Sequence, residues 1–195
     1  MKKTSMITIP LVCILLSGCG DDAKQKEQEL IEHTYALNLN SAATEMLVGA
    51  TYSETLCNKV VAVWHDAIFD EVNIETVKYM RDKDTQEKLD FNGALKNLYE
   101  DETTISIVDK LKDNKQKVDD LMSDLASPPE KYSVCYGTIS DLYKTYSSFT
   151  SVAITPTGSY NDYTANVAKL DGDFGSTYDL VKTQLPDVIN MDSSE

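Results

Sequence analysis

The sequence predicts an all-α protein: an antiparallel bundle of about four amphipathic helices, the first one long, behind a cleaved signal and a flexible tether. Three observations predict it. Apolar residues recur at steps of three or four over most of the chain. No stretch alternates apolar and polar residues for any length, so strands are not expected. Prolines are absent between Pro10 and Pro128 and then fall at Pro128-Pro129, Pro156 and Pro186, where the periodic segments stop and restart.

Residues 1–18 read as an export signal. Met1-Lys2-Lys3 is a short positive start, Met6 to Leu16 an apolar run, and Leu16-Ser17-Gly18-Cys19 a small-residue cleavage site. The run is broken by Thr8 and Pro10 and falls short of the roughly 20 residues a transmembrane helix needs. The tetrapeptide Leu16-Ser17-Gly18-Cys19 resembles the lipobox of bacterial lipoproteins. That resemblance implies that Cys19 takes a diacylglyceryl group and becomes the first residue after cleavage, while Cys13 leaves with the signal. Two acyl chains, at about 0.8 kcal/mol for each buried CH₂, hold a domain on a bilayer stably where one does not. Residues 19–29 are then the lipid anchor and a polar tether, with nothing larger than Ala23 to pack.

The domain is expected over 30–190, with 191–195 as a tail. Ile31, Tyr35, Leu39, Ala42, Met46, Gly49, Ser53, Leu56, Val60, Val63 and Ala67 make one apolar stripe, widened by Trp64 and Ile68. A helix over about 27–72 would run roughly 70 Å, long enough to suggest a kink or break, with Gly49 the weak point. Residues 81–86 read as a loop. A second helical region opens at Glu87 with Leu89, Phe91, Leu95, Leu98 and Tyr99 on its apolar side. Asp101 to Thr104 interrupt that region or cap the next helical run. Ile105, Val108, Leu111, Val118, Leu121, Met122 and Leu125 carry the pattern to Pro128-Pro129. A third helix is expected over about 129–153. After the turn at Thr155–Gly158, Ser159 and Asp162 approximate a capping box for a fourth, which runs to Pro186.

The formal charge of −14 excludes whole classes of partner. Phosphate backbones need a lysine or arginine face, so no nucleic acid is expected, and docking on anionic lipid by charge is disfavoured. Two cysteines follow the anchor. Outside the cytoplasm Cys57 and Cys135 could pair, closing a loop of about 79 residues worth about 4 kcal/mol. The other reading is two buried thiols behaving as small apolar groups.

Candidate sites are few. His65 has Trp64, Asp66, Asp70 and Glu71 around it, and a histidine with carboxylates one turn away can hold a metal or move protons. On an uninterrupted helix, however, Asp66 and Asp70 face each other, and His65 lies about 100° from Asp66. No metal site or cofactor is therefore expected. Asp171-Gly172-Asp173-Phe174-Gly175 and Asp82-Lys83-Asp84 both fail the EF-hand spacing. Tyrosine is the one compositional excess, with 11 in the chain. Tyr132, Tyr136, Tyr143 and Tyr146 share one helical stripe, which reads either as packing at a bundle boundary or as a recognition surface. No nucleophile motif or phosphate loop is present, and no basic neighbour activates either thiol, so the chain is not expected to be an enzyme.

The order of the lipobox, Trp64-His65-Asp66-Ala67-Ile68, Asp119-Asp120-Leu121-Met122, Pro128-Pro129-Glu130 and Pro156-x-Gly158-Ser159 resembles uncharacterised helical lipoproteins of low-GC Gram-positive bacteria. The resemblance implies a cell-membrane address on the extracytoplasmic side and brings no catalytic residues. The expected role is a membrane-anchored interaction or structural module that meets a protein or cell-envelope partner. Two alternatives are a small-ligand or solute-binding lipoprotein serving a transporter, and a phage-exclusion-type surface lipoprotein. The first is disfavoured by the lack of βα alternation.

Overall fold

The first helix organises everything else. In the computed structural model, which describes residues 20–71 and 73–187, α1 spans Gly20–Phe69, 50 residues without a break. At 1.5 Å per residue it is about 75 Å long. The lipobox with Cys19 and the 191–195 tail lie outside the described residues. Four more helices come after it: α2 over Phe91–Tyr99, α3 over Glu102–Asp124, α4 over Ser133–Ile154 and α5 over Tyr160–Gln184. The all-α class holds, with five α-helices among the described residues. Among the described residues strand pairing is limited to one isolated antiparallel bridge between Arg81 and Lys88. No helix of the described residues is long and apolar enough to cross a membrane.

Side-chain pairs along the helices fix their directions. Tyr35 stacks on Tyr132, and Gly49 lies under Tyr146, so α1 and α4 run parallel. Tyr35 donates to the Leu125 carbonyl, and Asn114 to that of Glu45, so α3 runs against α1. Trp64 meets Tyr163, and Asn40 donates to the carbonyl of Pro186, so α5 runs against α1 as well. Consecutive long helices are thus antiparallel, up-down-up-down, as short loops require. The parallel pair α1 and α4 meet closely at the centre, with α3 and α5 on their two sides. Leu39, Met46, Leu56, Leu98, Leu111, Leu125, Ile139, Leu142, Tyr146 and Phe149 are all fully or almost fully buried. Each such side chain contributes about 1.5–3 kcal/mol by leaving water.

Gly49 does not break α1, because the neighbouring helices use the space it leaves. A Cβ there would come within 2.0 Å of Asn114 Oδ1 and 2.6 Å of Tyr146 Cε2. The Tyr146 hydroxyl donates to Asn114 Oδ1 at 2.8 Å, and Asn114 Nδ2 donates to the Glu45 carbonyl and to Glu45 Oε2, both at 3.0 Å. A glycine costs about 1 kcal/mol of helix propensity; here it admits a three-helix hydrogen-bond network into the core.

The stretch expected as a flexible tether is helical from Gly20, which corrects the sequence reading. Among the described residues, 22–31 are all exposed, as their composition implied. Local pairs at i, i+4 line it, Gln25 to Glu29 and Gln28 to Glu32, both 2.9 Å. Packing begins with the Glu32–Lys131 ion pair and the burial of Tyr35.

The other boundaries have local causes. α2 starts at Phe91 rather than Glu87, because 87–89 pair back on Met80 and Asp82 and Asp90 caps the helix, accepting from Gly93 N at 2.8 Å. Asp101 caps α3, accepting from Thr103 N, as its position suggested. Pro128-Pro129 stop α3, and a 3₁₀ turn over Glu130–Tyr132 intervenes, so α4 opens at Ser133. Ser159 and Asp162 form the expected capping relation, with Asp162 N donating to Ser159 Oγ and the hydroxyl donating to Asp162 Oδ2 at 2.7 Å.

Candidate functional site at the end of the first helix

α1 ends differently from the helix expected over 27–72, and the difference builds a cluster. Asp70 takes a left-handed conformation with φ 58°, and the Glu71 N–H closes back on the Asp66 carbonyl at 3.2 Å. This is the six-to-one closure that ends many helices, here on an aspartate rather than a glycine. Asp70 therefore leaves the face it would share with Asp66 and pairs instead with Lys88 at 2.6 Å. Glu71 is brought to the histidine in its place. His65 Nδ1 lies 3.2 Å from Asp66 Oδ1 and 3.9 Å from Glu71 Oε2. A periodicity argument treats the helix as continuing and so selects Asp70; the left-handed residue is what selects Glu71.

Asp66 is buried, and its second oxygen accepts a 2.5 Å hydrogen bond from the Thr76 hydroxyl. Thr76 is also buried and sits just before the 3₁₀ turn Val77–Tyr79, so the loop after α1 is fastened to its last turn. His65 packs between Phe69 and Tyr160, with ring centroids at 4.7 and 6.0 Å. Phe69 and Ile74 stand out of this end of the bundle, 57% and 90% exposed. On the far side of Thr76 lies an open cleft of about 380 Å³ lined by Asn58, Lys59, Thr76, Lys78, Tyr79 and Thr103. Its Lys78 is paired with Asp101 at 2.7 Å, and that ammonium, with the Thr103 hydroxyl, holds the Asp101 carboxyl down at about 2.

Two tyrosines of the stripe, Tyr132 and Tyr146, are packed into the core, and two, Tyr136 and Tyr143, stand half-buried at its edge. Tyr132 is buried against Tyr35, with ring centroids 5.5 Å apart. Tyr146 is fully buried, and burial pushes its hydroxyl up to about 12. Tyr143 is half-buried and donates to Asp119 Oδ1 at 2.7 Å, and Tyr136 is half-buried against the core. The stripe continues the apolar face of α4 through Ile139, Leu142 and Phe149, all buried.

Of the two readings of the cysteines, the structure has the buried thiols. Cys57 and Cys135 are both free and buried. Cys135 lies beside Tyr35, 22 residues before Cys57 along one helix, a distance of about 33 Å. A disulfide needs Cα atoms within about 7 Å. Cys57 instead sits with Tyr163 and Tyr99, where burial pushes its thiol up to about 11 and raises both phenols. Both cysteines are small core residues without thiolate character. The Asp171–Gly175 segment lies inside α5 and forms no loop.

Comparison of the chain with protein-family models, with curated proteins and with solved structures gave no match.

Proposed function

We propose that this chain is a lipoprotein anchored through Cys19 on the extracytoplasmic face of the cell membrane, and that its bundle is a non-enzymatic interaction module for a protein or cell-envelope partner. One observation carries the reading beyond the lipobox. The helical turns over residues 22–31 begin three residues after Cys19 and are exposed among the described residues. Ten residues of free helix make a stalk of about 15 Å, which sets the bundle off the headgroups. The acidic surface suits that arrangement, since it is repelled by anionic lipid instead of lying down on it. The opposite end of α1, with Phe69 and Ile74 exposed, is then the part that points away from the bilayer.

Substitution and fractionation test the anchor. Cys19→Ala releases the domain to the medium or leaves an uncleaved precursor. A Cys19→Ala protein cut after Gly18 and still held on the membrane would overturn the reading.

A further inference from the structure

We infer that His65, Asp66 and Glu71 form a binding site for one divalent transition-metal ion of the zinc class. The inference rests on the end of α1 alone and is independent of lipidation. One nitrogen and two carboxylate oxygens converge, and all three ligand atoms lie within 4.8 Å of one another. Ligands sharing a tetrahedral zinc at about 2.1 Å sit roughly 3.4 Å apart. The His65–Asp66 separation of 3.2 Å already meets that spacing, and the 3.9 Å to Glu71 needs only a small movement of an exposed side chain.

The surroundings fit the same chemistry. Asp66 is buried, and the Thr76 hydroxyl holds its second oxygen, the kind of outer contact that orients a carboxylate ligand. Phe69 and Tyr160 flank the imidazole. Among the described residues no lysine or arginine lies within 4 Å of the Asp66 or Glu71 carboxylate, and Lys88 pairs with Asp70. Two negative charges thus face one histidine with no fixed cation to balance them. Magnesium and calcium want six or more oxygens, whereas an imidazole with two carboxylates suits zinc, cobalt or nickel. Three protein ligands leave a coordination position open to solvent.

Cobalt titration of the untagged, metal-free full-length protein tests the site. A d–d absorption band should rise and saturate at one equivalent of Co²⁺, and Zn²⁺ should abolish it. His65→Ala and Glu71→Gln should each weaken binding at least tenfold, on the scale seen when ligand support is lost. Both positions are accessible, so the variants should keep the far-ultraviolet circular dichroism of the parent. Asp70→Asn and His33→Ala should leave the titration unchanged. A titration without saturation, one unaltered in His65→Ala, or one that millimolar Mg²⁺ or Ca²⁺ competes away would each mean that only acidic surface is responding, and would overturn the site.

Discussion

The first fifteen residues of α1 and the remaining thirty-five belong to one unbroken helix, yet they are held by different forces. From Tyr35 onward the helix is wedged between α3, α4 and α5, and its stripe of Leu39, Met46, Leu56 and Val60 is buried. Residues 22–31 are exposed among the described residues, and i, i+4 pairs of amides with carboxylates, each worth a few tenths of a kcal/mol, line them. The difference teaches that continuity of a helix and burial of a helix are separate properties. The packed part nucleates the helix, and each added stalk residue needs only propagation, which is cheap for Lys, Gln and Glu.

Placing the same residue in the two regions gives the largest expected contrast. Proline removes one backbone hydrogen bond and clashes with the preceding turn, at about 3 kcal/mol or more in a helix interior. Ala43 is 1% exposed within the packed stretch. Ala43→Pro should therefore lower unfolding free energy by at least about 3 kcal/mol in a urea titration, a large share of the 5–15 kcal/mol typical of such a domain. An unchanged midpoint would mean that the central helix is not continuous at that point.

Gly49→Ala probes the packed region more finely, because two principles disagree about its sign. Helix propensity alone forecasts a gain of about 1 kcal/mol. The geometry forecasts a loss, since the new Cβ would fall 2.0 Å from Asn114 Oδ1 and 2.6 Å from Tyr146 Cε2. Overpacking costs about 1–3 kcal/mol, and displacing the buried Tyr146–Asn114 hydrogen bond adds a similar amount. The balance is a net destabilisation of about 3 kcal/mol. A stabilised variant would show that α4 does not close on α1 at this level.

The legibility of the sequence divides along the same line. Apolar spacing predicts the helices and their buried faces, because a periodic stripe has physical meaning only against a core. Ser159, Asp101 and Pro128-Pro129 stand at helix boundaries where the sequence places them, since local chemistry decides there. Residues 20–29 are misread, because a polar composition describes what cannot pack and is silent on what can still coil. The pairing of Cys57 with Cys135 stays open at the level of sequence, since their separation depends on which level of α1 the start of α4 meets. The triad at the end of α1 is hidden for a smaller reason. Asp70 and Glu71 are adjacent, and one left-handed residue decides which of them reaches His65. Nothing in the period of the sequence marks the residue at which a helix stops turning.

The smallest expected effect tests the other side of the comparison. Lys26 lies in the exposed stalk, several residues before the first packed side chain. Proline there breaks the same kind of hydrogen bond as at Ala43, but the residues it releases have no tertiary contacts to lose. Lys26→Pro should therefore fray the turns before it, with a small loss of ellipticity at 222 nm, and move global stability by no more than about 0.5 kcal/mol, as for a surface change. Amide exchange sharpens this further. Residues 22–31 should already exchange quickly in the parent, since local opening of an unpacked helix end exposes little buried surface. A cost at Lys26 comparable to that at Ala43 would mean that the stalk leans on the bundle, and the separation between coiling and packing in α1 would not stand.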